Sequence, residues 1–118
     1  MDHRKISILV IDDCLEQAEC LARLLEAIGH RASFVINPLD ALDAAEGMHP
    51  DIIFVDLDMP NVDGWALARM FRQQFGDIRL VAVTGLDPQN HDVFDAWLTK
   101  PVRLGALSGI LALESEAL

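Results

Sequence analysis

The chain has 118 residues, 52% of them hydrophobic, and a formal net charge of −10. That length suits one globular domain, residues 1–118, with a buried core and no room for a second domain. The acidic balance excludes an electrostatic footprint for nucleic acid, and apolar runs of about six residues fall far short of the roughly twenty that cross a bilayer.

In chain order, Lys5 to Ile11 reads as a buried strand. It ends at Asp12-Asp13, too early for a secretory signal. Asp13 can cap a helix running to about Ile28, with Ala18, Leu21, Leu25 and Ile28 on its core face and Gly29 ending it. Cys14 and Cys20 lie in this helix; two cysteines make no disulfide framework and read as small buried or half-buried residues in a reducing cytoplasm. Ala32 to Ile36 is a second strand, and Asn37-Pro38 opens a helix through about Ala45. Asp51 to Asp56 is the third strand. Asp63-Gly64 opens a helix through about Phe75, with Leu67, Met70 and Phe71 inward. Arg79 to Thr84 is the fourth strand, and Ala96 to Thr99 a short fifth. The last helix spans Val102 to about Glu114, with Leu104, Leu107 and Leu111 on one face and Ile110 and Leu113 off it. Trp65 reads as a packing residue. His3, His30, His49 and His91 share no metal-ligand spacing and read as solvent-facing.

Near-continuous apolar strands alternating with helices argue a parallel α/β sheet covered on both faces. Right-handed crossovers make it doubly wound, with ligands outside the carboxyl ends of the strands. There the pattern places Asp12 and Asp13 after strand one, Asp56 after strand three, Thr84 after strand four and Lys100 after strand five. Carboxylates on one rim suit a hard divalent cation such as Mg²⁺. A lysine and a threonine hydroxyl beside them can meet the oxygens of a phosphoryl group, whose transfer needs positioning and charge neutralisation. The nucleophile is then a carboxylate, Asp56 being central.

The set VIDD at 10–13, VDLDMPNVDG at 55–64, VTG at 83–85 and LTKP at 98–101 resembles the CheY-like receiver domain of bacterial two-component response regulators, over nearly the whole chain. The resemblance implies a flavodoxin-like, five-stranded parallel sheet in the order 2-1-3-4-5. It implies Asp56 as phosphoacceptor, Asp13 as direct Mg²⁺ ligand, Asp12 acting mainly through water, and Asp58 lending its backbone carbonyl. Thr84 matches the switch hydroxyl and Lys100 the residue that pairs with the phosphoryl group. Pro101 matches a proline usually preceded by a cis bond, and Trp97 stands where an aromatic switch residue, more often Tyr or Phe, is found. The partners implied are a sensor histidine kinase or histidine phosphotransfer protein and an unnamed downstream protein. The chain is then no enzyme with a separate substrate, since it catalyses only its own phosphorylation and dephosphorylation. Whether it is free-standing or part of a hybrid kinase stays open, although residues 23–30 resemble hybrid-kinase receivers somewhat more.

Asp56-Leu57-Asp58 also fits the DxD loop of haloacid-dehalogenase-like phosphatases, but on the third strand rather than the first and with no acidic pair on a strand after Lys100. A receiver that has lost its chemistry and only binds partners is the other alternative, and every acidic core position being filled speaks against it. One departure from the receiver pattern is clear. Twelve residues separate Thr84 from Trp97, about six fewer than usual, or about 9 Å of helix. The helix between strands four and five is therefore expected to be shortened or missing. Residues 86–95 are expected to be mobile, with Val93 and Phe94 as anchors and part of the sheet edge or of the last helix bared.

Overall fold

The computed structural model describes residues 5–89 and 92–118. Five strands, β1 (Ser7–Ile11), β2 (Arg31–Val35), β3 (Ile52–Asp56), β4 (Arg79–Thr84) and β5 (Ala96–Thr99), form one parallel sheet in the order β2-β1-β3-β4-β5. The helices among the described residues are α1 (Leu15–Ala27), α2 (Ala41–Met48), α3 (Gly64–Phe75) and α4 (Leu104–Glu116).

Strand alternation divides the core in two. Leu9, Ile11, Ile53, Val55, Leu80 and Ala82 face one side, where Ala41, Ala45, Leu67, Ala68 and Phe71 of α2 and α3 cover them. Ile8, Val10, Ile52, Phe54, Val81, Val83 and Leu98 face the other, under Ala18, Leu21 and Leu25 of α1 and Leu107 and Leu111 of α4. All five residues of β3 are buried, so the central strand is held from both faces. This clamps the end that carries Asp56.

Several local expectations change. Helix α1 starts at Leu15 behind Cys14, which makes no side-chain cap; the Asp12 carboxylate instead accepts from the Cys14 amide at 3.0 Å, and Asp13 stays exposed. Gly29 ends the helix at φ 108, a conformation that L side chains rarely adopt. Cys20 is exposed rather than buried. The Asn37-Pro38 start holds, with Asn37 capping the Leu39 amide, but its first turn, Pro38–Asp40, is a 3₁₀ turn and α2 runs on to Met48. In α3 the buried stripe is Leu67, Ala68 and Phe71, whereas Met70 is exposed. At 100° per residue Met70 falls about 60° from Leu67, on the side away from Ala68. In α4 the stripe is Leu107, Leu111 and Glu114, and Leu104 lies in an exposed first turn. Ile110 is half-buried against the core, while Leu113 is exposed. His30 is no plain solvent residue, since its Nδ1 accepts from the Ile6 amide at 3.3 Å. His3 and His91 lie outside the described residues.

No helix occurs between β4 and β5 among the described residues; Asn90 and His91 of that expected segment lie outside them. Of the surface expected to be bared, Leu113 on the flank of α4 is exposed and β5 is only partly buried, while side chains pack beside β4. Val93 and Phe94 are buried, and the Phe94 ring meets Trp65 edge-on at 5.1 Å and Trp97 at 6.4 Å. Trp65 and Trp97 are 5.8 Å apart. The Arg72 guanidinium at the end of α3 donates to the Ile78 carbonyl at 2.6 Å and the Val93 carbonyl at 2.7 Å, and pairs with Asp95 at 3.0 Å.

Candidate functional site

The carboxyl ends of β1, β3, β4 and β5 bring together the residues expected from their order along the chain. Asp12, Asp13 and Asp56 each present a carboxylate oxygen, all within 4.8 Å of one another. Asp12 and Asp56 are buried and Asp13 is exposed. Lys100 reaches in from the end of β5, its Nζ 3.1 Å from Asp56 Oδ1 and 3.3 Å from Asp58 Oδ2. The Lys100–Pro101 bond is cis.

Burial, together with the nearby Asp56 carboxylate, raises the Asp12 carboxyl to about 6, against the hydrogen bond from Cys14 and the Lys100 charge. The surplus of negative charge on three hard oxygen donors, one open to water, fits a divalent cation such as Mg²⁺, which keeps several waters and takes one or two carboxylates. Burial alone would lower the Lys100 ammonium, but hydrogen bonds and charge from Asp56 and Asp58 outweigh it and raise its pKa. It is a fixed cation at neutral pH.

Asp58 departs from the plain loop charge that its side chain could have been. Its carboxylate accepts from the Thr84 hydroxyl at 2.6 Å and from the Gly85 amide at 2.9 Å, in addition to Lys100. Burial would raise this carboxyl, yet these donors and the lysine charge hold it below the ordinary carboxylate range. Its own amide donates to Asp56 Oδ1 at 2.7 Å. Thr84 is completely buried, and its oxygen accepts from the Leu86 amide at 3.3 Å. The Leu86 carbonyl in turn accepts from Trp97 Nε1 at 3.0 Å.

Two supports were not legible as such. Gly64 belongs to the VDLDMPNVDG stretch, but its reason is steric: a Cβ there would lie 2.7 Å from Leu57 Cδ2 and 3.1 Å from the Asp56 carbonyl. A side chain there would displace the Leu57 methyl and crowd the Asp56 carbonyl, so glycine lets α3 begin close to the Asp56 loop without a shift. The Gly85 amide carries no side-chain signal at all, and only the fold aims it at Asp58. Asp63, by contrast, caps α3 as its position suggested, accepting from the Trp65 and Ala66 amides.

A family model for the response regulator receiver domain matches residues 8–110. The chain is 31% identical over 121 residues to the sensor histidine kinase RcsC of Escherichia coli strain K12, covering 98% of this chain and 13% of that protein. It is 30% identical over 108 residues to the response regulator MprA of Mycobacterium sp. strain KMS, covering 86% of this chain and 47% of that protein. The chain thus spans less than half the length of either relative. Among solved structures, the CheY-like response regulator receiver domain from Methylobacillus flagellatus superposes with a TM-score of 0.85 at 30% identity, covering 94% of this chain and 99% of that one. With its 2-1-3-4-5 sheet and an acidic cluster at the carboxyl rim, this chain belongs to the response regulator receiver domain family.

Proposed function

We propose that Asp56 accepts a phosphoryl group from the phosphohistidine of a sensor histidine kinase or histidine phosphotransfer protein, and that the modified domain binds a downstream protein differently. A carboxylate oxygen of Asp56 forms a bond to phosphorus, the donor's nitrogen–phosphorus bond breaks, and the imidazole leaves with that electron pair. The product is an acyl phosphate, which water later hydrolyses. The observation that carries this reading is the Lys100 ammonium 3.1 Å from a buried carboxylate that groups with Asp12 and Asp13. A nucleophile, a cation for the incoming charge and a set of metal-binding oxygens stand together.

Asp13 would hold Mg²⁺ directly, Asp12 through water, with Asp56 and the Asp58 backbone carbonyl completing the protein's share. Bound Mg²⁺ supplies the charge neutralisation that the phosphoryl oxygens require. Lys100 holds one phosphoryl oxygen by charge, and the Thr84 hydroxyl donates to another. Reducing conditions in the cytoplasm suit the unpaired Cys14 and Cys20. The phosphatase reading loses support at Asp58: a general acid there needs a proton at neutral pH, whereas this carboxyl is held below the ordinary range.

Intact-mass measurement after incubation with acetyl phosphate and Mg²⁺ tests the assignment. The wild type is expected to gain one phosphoryl group and Asp56→Asn none. A phosphorylated Asp56→Asn protein would place the acceptor elsewhere.

A further inference from the structure

We propose that the Asp58 carboxylate is an internal competitor, occupying donors that an anion on Asp56 would use, so that phosphoryl uptake proceeds by exchanging one anion for another. The inference rests on the reading of Asp56 as the phosphoacceptor. Three donors converge on Asp58, and two of them have a single proton to give. The Thr84 hydroxyl spends its proton on Asp58 Oδ1 at 2.6 Å, and the Gly85 amide spends its own on Oδ2 at 2.9 Å. Lys100 is shared, 3.3 Å from Asp58 Oδ2 and 3.1 Å from Asp56 Oδ1. A phosphoryl group on Asp56 shares that lysine and lies beside the same threonine. It gains the hydroxyl and the amide only if Asp58 lets go of them.

The exchange has a cost, because hydrogen bonds to an ionised acceptor are about twice as strong as neutral ones. It is also reversible. The Asp58 side chain is 37% exposed, so a released carboxylate is taken up by water. The two aspartates are also joined through the chain, since the Asp58 amide donates to Asp56 Oδ1. Substituting the Asp58 side chain leaves that amide, and the Asp58 carbonyl, in place.

The test compares the full chain with Asp58→Ala and Asp58→Asn. The Gly85 amide is read in ¹H–¹⁵N spectra of the metal-free proteins, and uptake from acetyl phosphate with Mg²⁺ is followed by intact mass. In the wild type the Gly85 amide proton is expected downfield, as befits a bond to a carboxylate. It moves upfield in Asp58→Ala and returns downfield when beryllofluoride and Mg²⁺ are added. Uptake is expected to be about tenfold faster in Asp58→Ala, with Asp58→Asn between, because an amide oxygen accepts without the charge. Asp58→Asn keeps the shape of the side chain, and thermal melts establish that both variants fold. Equal uptake rates in all three proteins, or a Gly85 resonance that Asp58→Ala does not move, would overturn the competitor and leave the acceptor reading standing. No uptake by any of them would overturn both.

Discussion

His30 lies away from the rim, yet it sets part of how the fold answers to acid. Its Nδ1 accepts the Ile6 amide, and burial lowers its pKa from the ordinary 6.5. The unfolded chain therefore takes up a proton at higher pH than the folded one. Stability is unaffected by His30 above the unfolded value and is lost as pH falls from there through the lowered folded value. His30→Asn keeps an acceptor near the Ile6 amide but cannot be protonated. Between about pH 7.5 and pH 5 its melting temperature is expected to fall less than that of the wild type; parallel curves would show that His30 contributes no pH dependence. His30 shows why such a role escapes sequence reading. A histidine after a helix-ending glycine looks solvent-facing, and only the fold brings it beside Ile6, just before β1, whose amide donates to it.

Between β4 and β5 individual side chains, rather than a helix among the described residues, pack against the sheet. The short spacing from Thr84 to Trp97 points to a helix shortened or missing, and none occurs there among the described residues. It did not predict what fills the gap, because Arg72, Trp65 and Phe94 are distant in sequence and meet only once α3 and β5 are placed. Arg72 is central to that filling. It satisfies the carbonyls of Ile78 and Val93 and pairs with Asp95, whose carboxylate also accepts the Leu80 amide at 2.8 Å. Arg72→Ala is expected to destabilise the domain by about 1–3 kcal/mol, the penalty for leaving such groups without a partner. Hydrogen exchange should quicken at the Leu80 and Asp95 amides, the second of which donates to the Leu80 carbonyl at 2.8 Å. Asp87 and Gln89 are exposed residues in the wild type, and their amides should exchange fast in both proteins. Unchanged protection at Leu80 and Asp95 would show that the aromatic contacts alone hold the crossover. On the opposite face Arg79 plays a related part, pairing with the buried Glu114 of α4 at 3.0 Å and with Asp95 at 3.5 Å.

For the molecule as a whole, a net charge of −10 means that the fold forms against its own repulsion, and most sharply at the rim. A cation that binds only the native state stabilises it by mass action. Added Mg²⁺ is therefore expected to raise the melting temperature of the wild type, and to raise it less for Asp13→Ala. Equal shifts would move the metal away from the Asp12, Asp13 and Asp56 cluster. The sheet order and rim were legible because strand-end residues and apolar runs are local signals, and topology rules then leave few arrangements. The partners of Asp58 were not legible. Which oxygen of a loop carboxylate meets which donor depends on contacts between β3 and β4 loops that no spacing encodes.

The chain has two tryptophans and no tyrosine, and both indoles belong to the aromatic cluster beside the β4–β5 crossover. Near-ultraviolet absorption above the phenylalanine bands therefore comes from a single place in the molecule. At 5.8 Å the two rings are close enough to couple their transitions, so the circular dichroism of the pair reports its mutual angle, 45° at rest. One of them is hydrogen-bonded to the Leu86 carbonyl, two residues from Thr84. The domain thus carries a built-in optical gauge of its rim, readable without a label or an introduced residue.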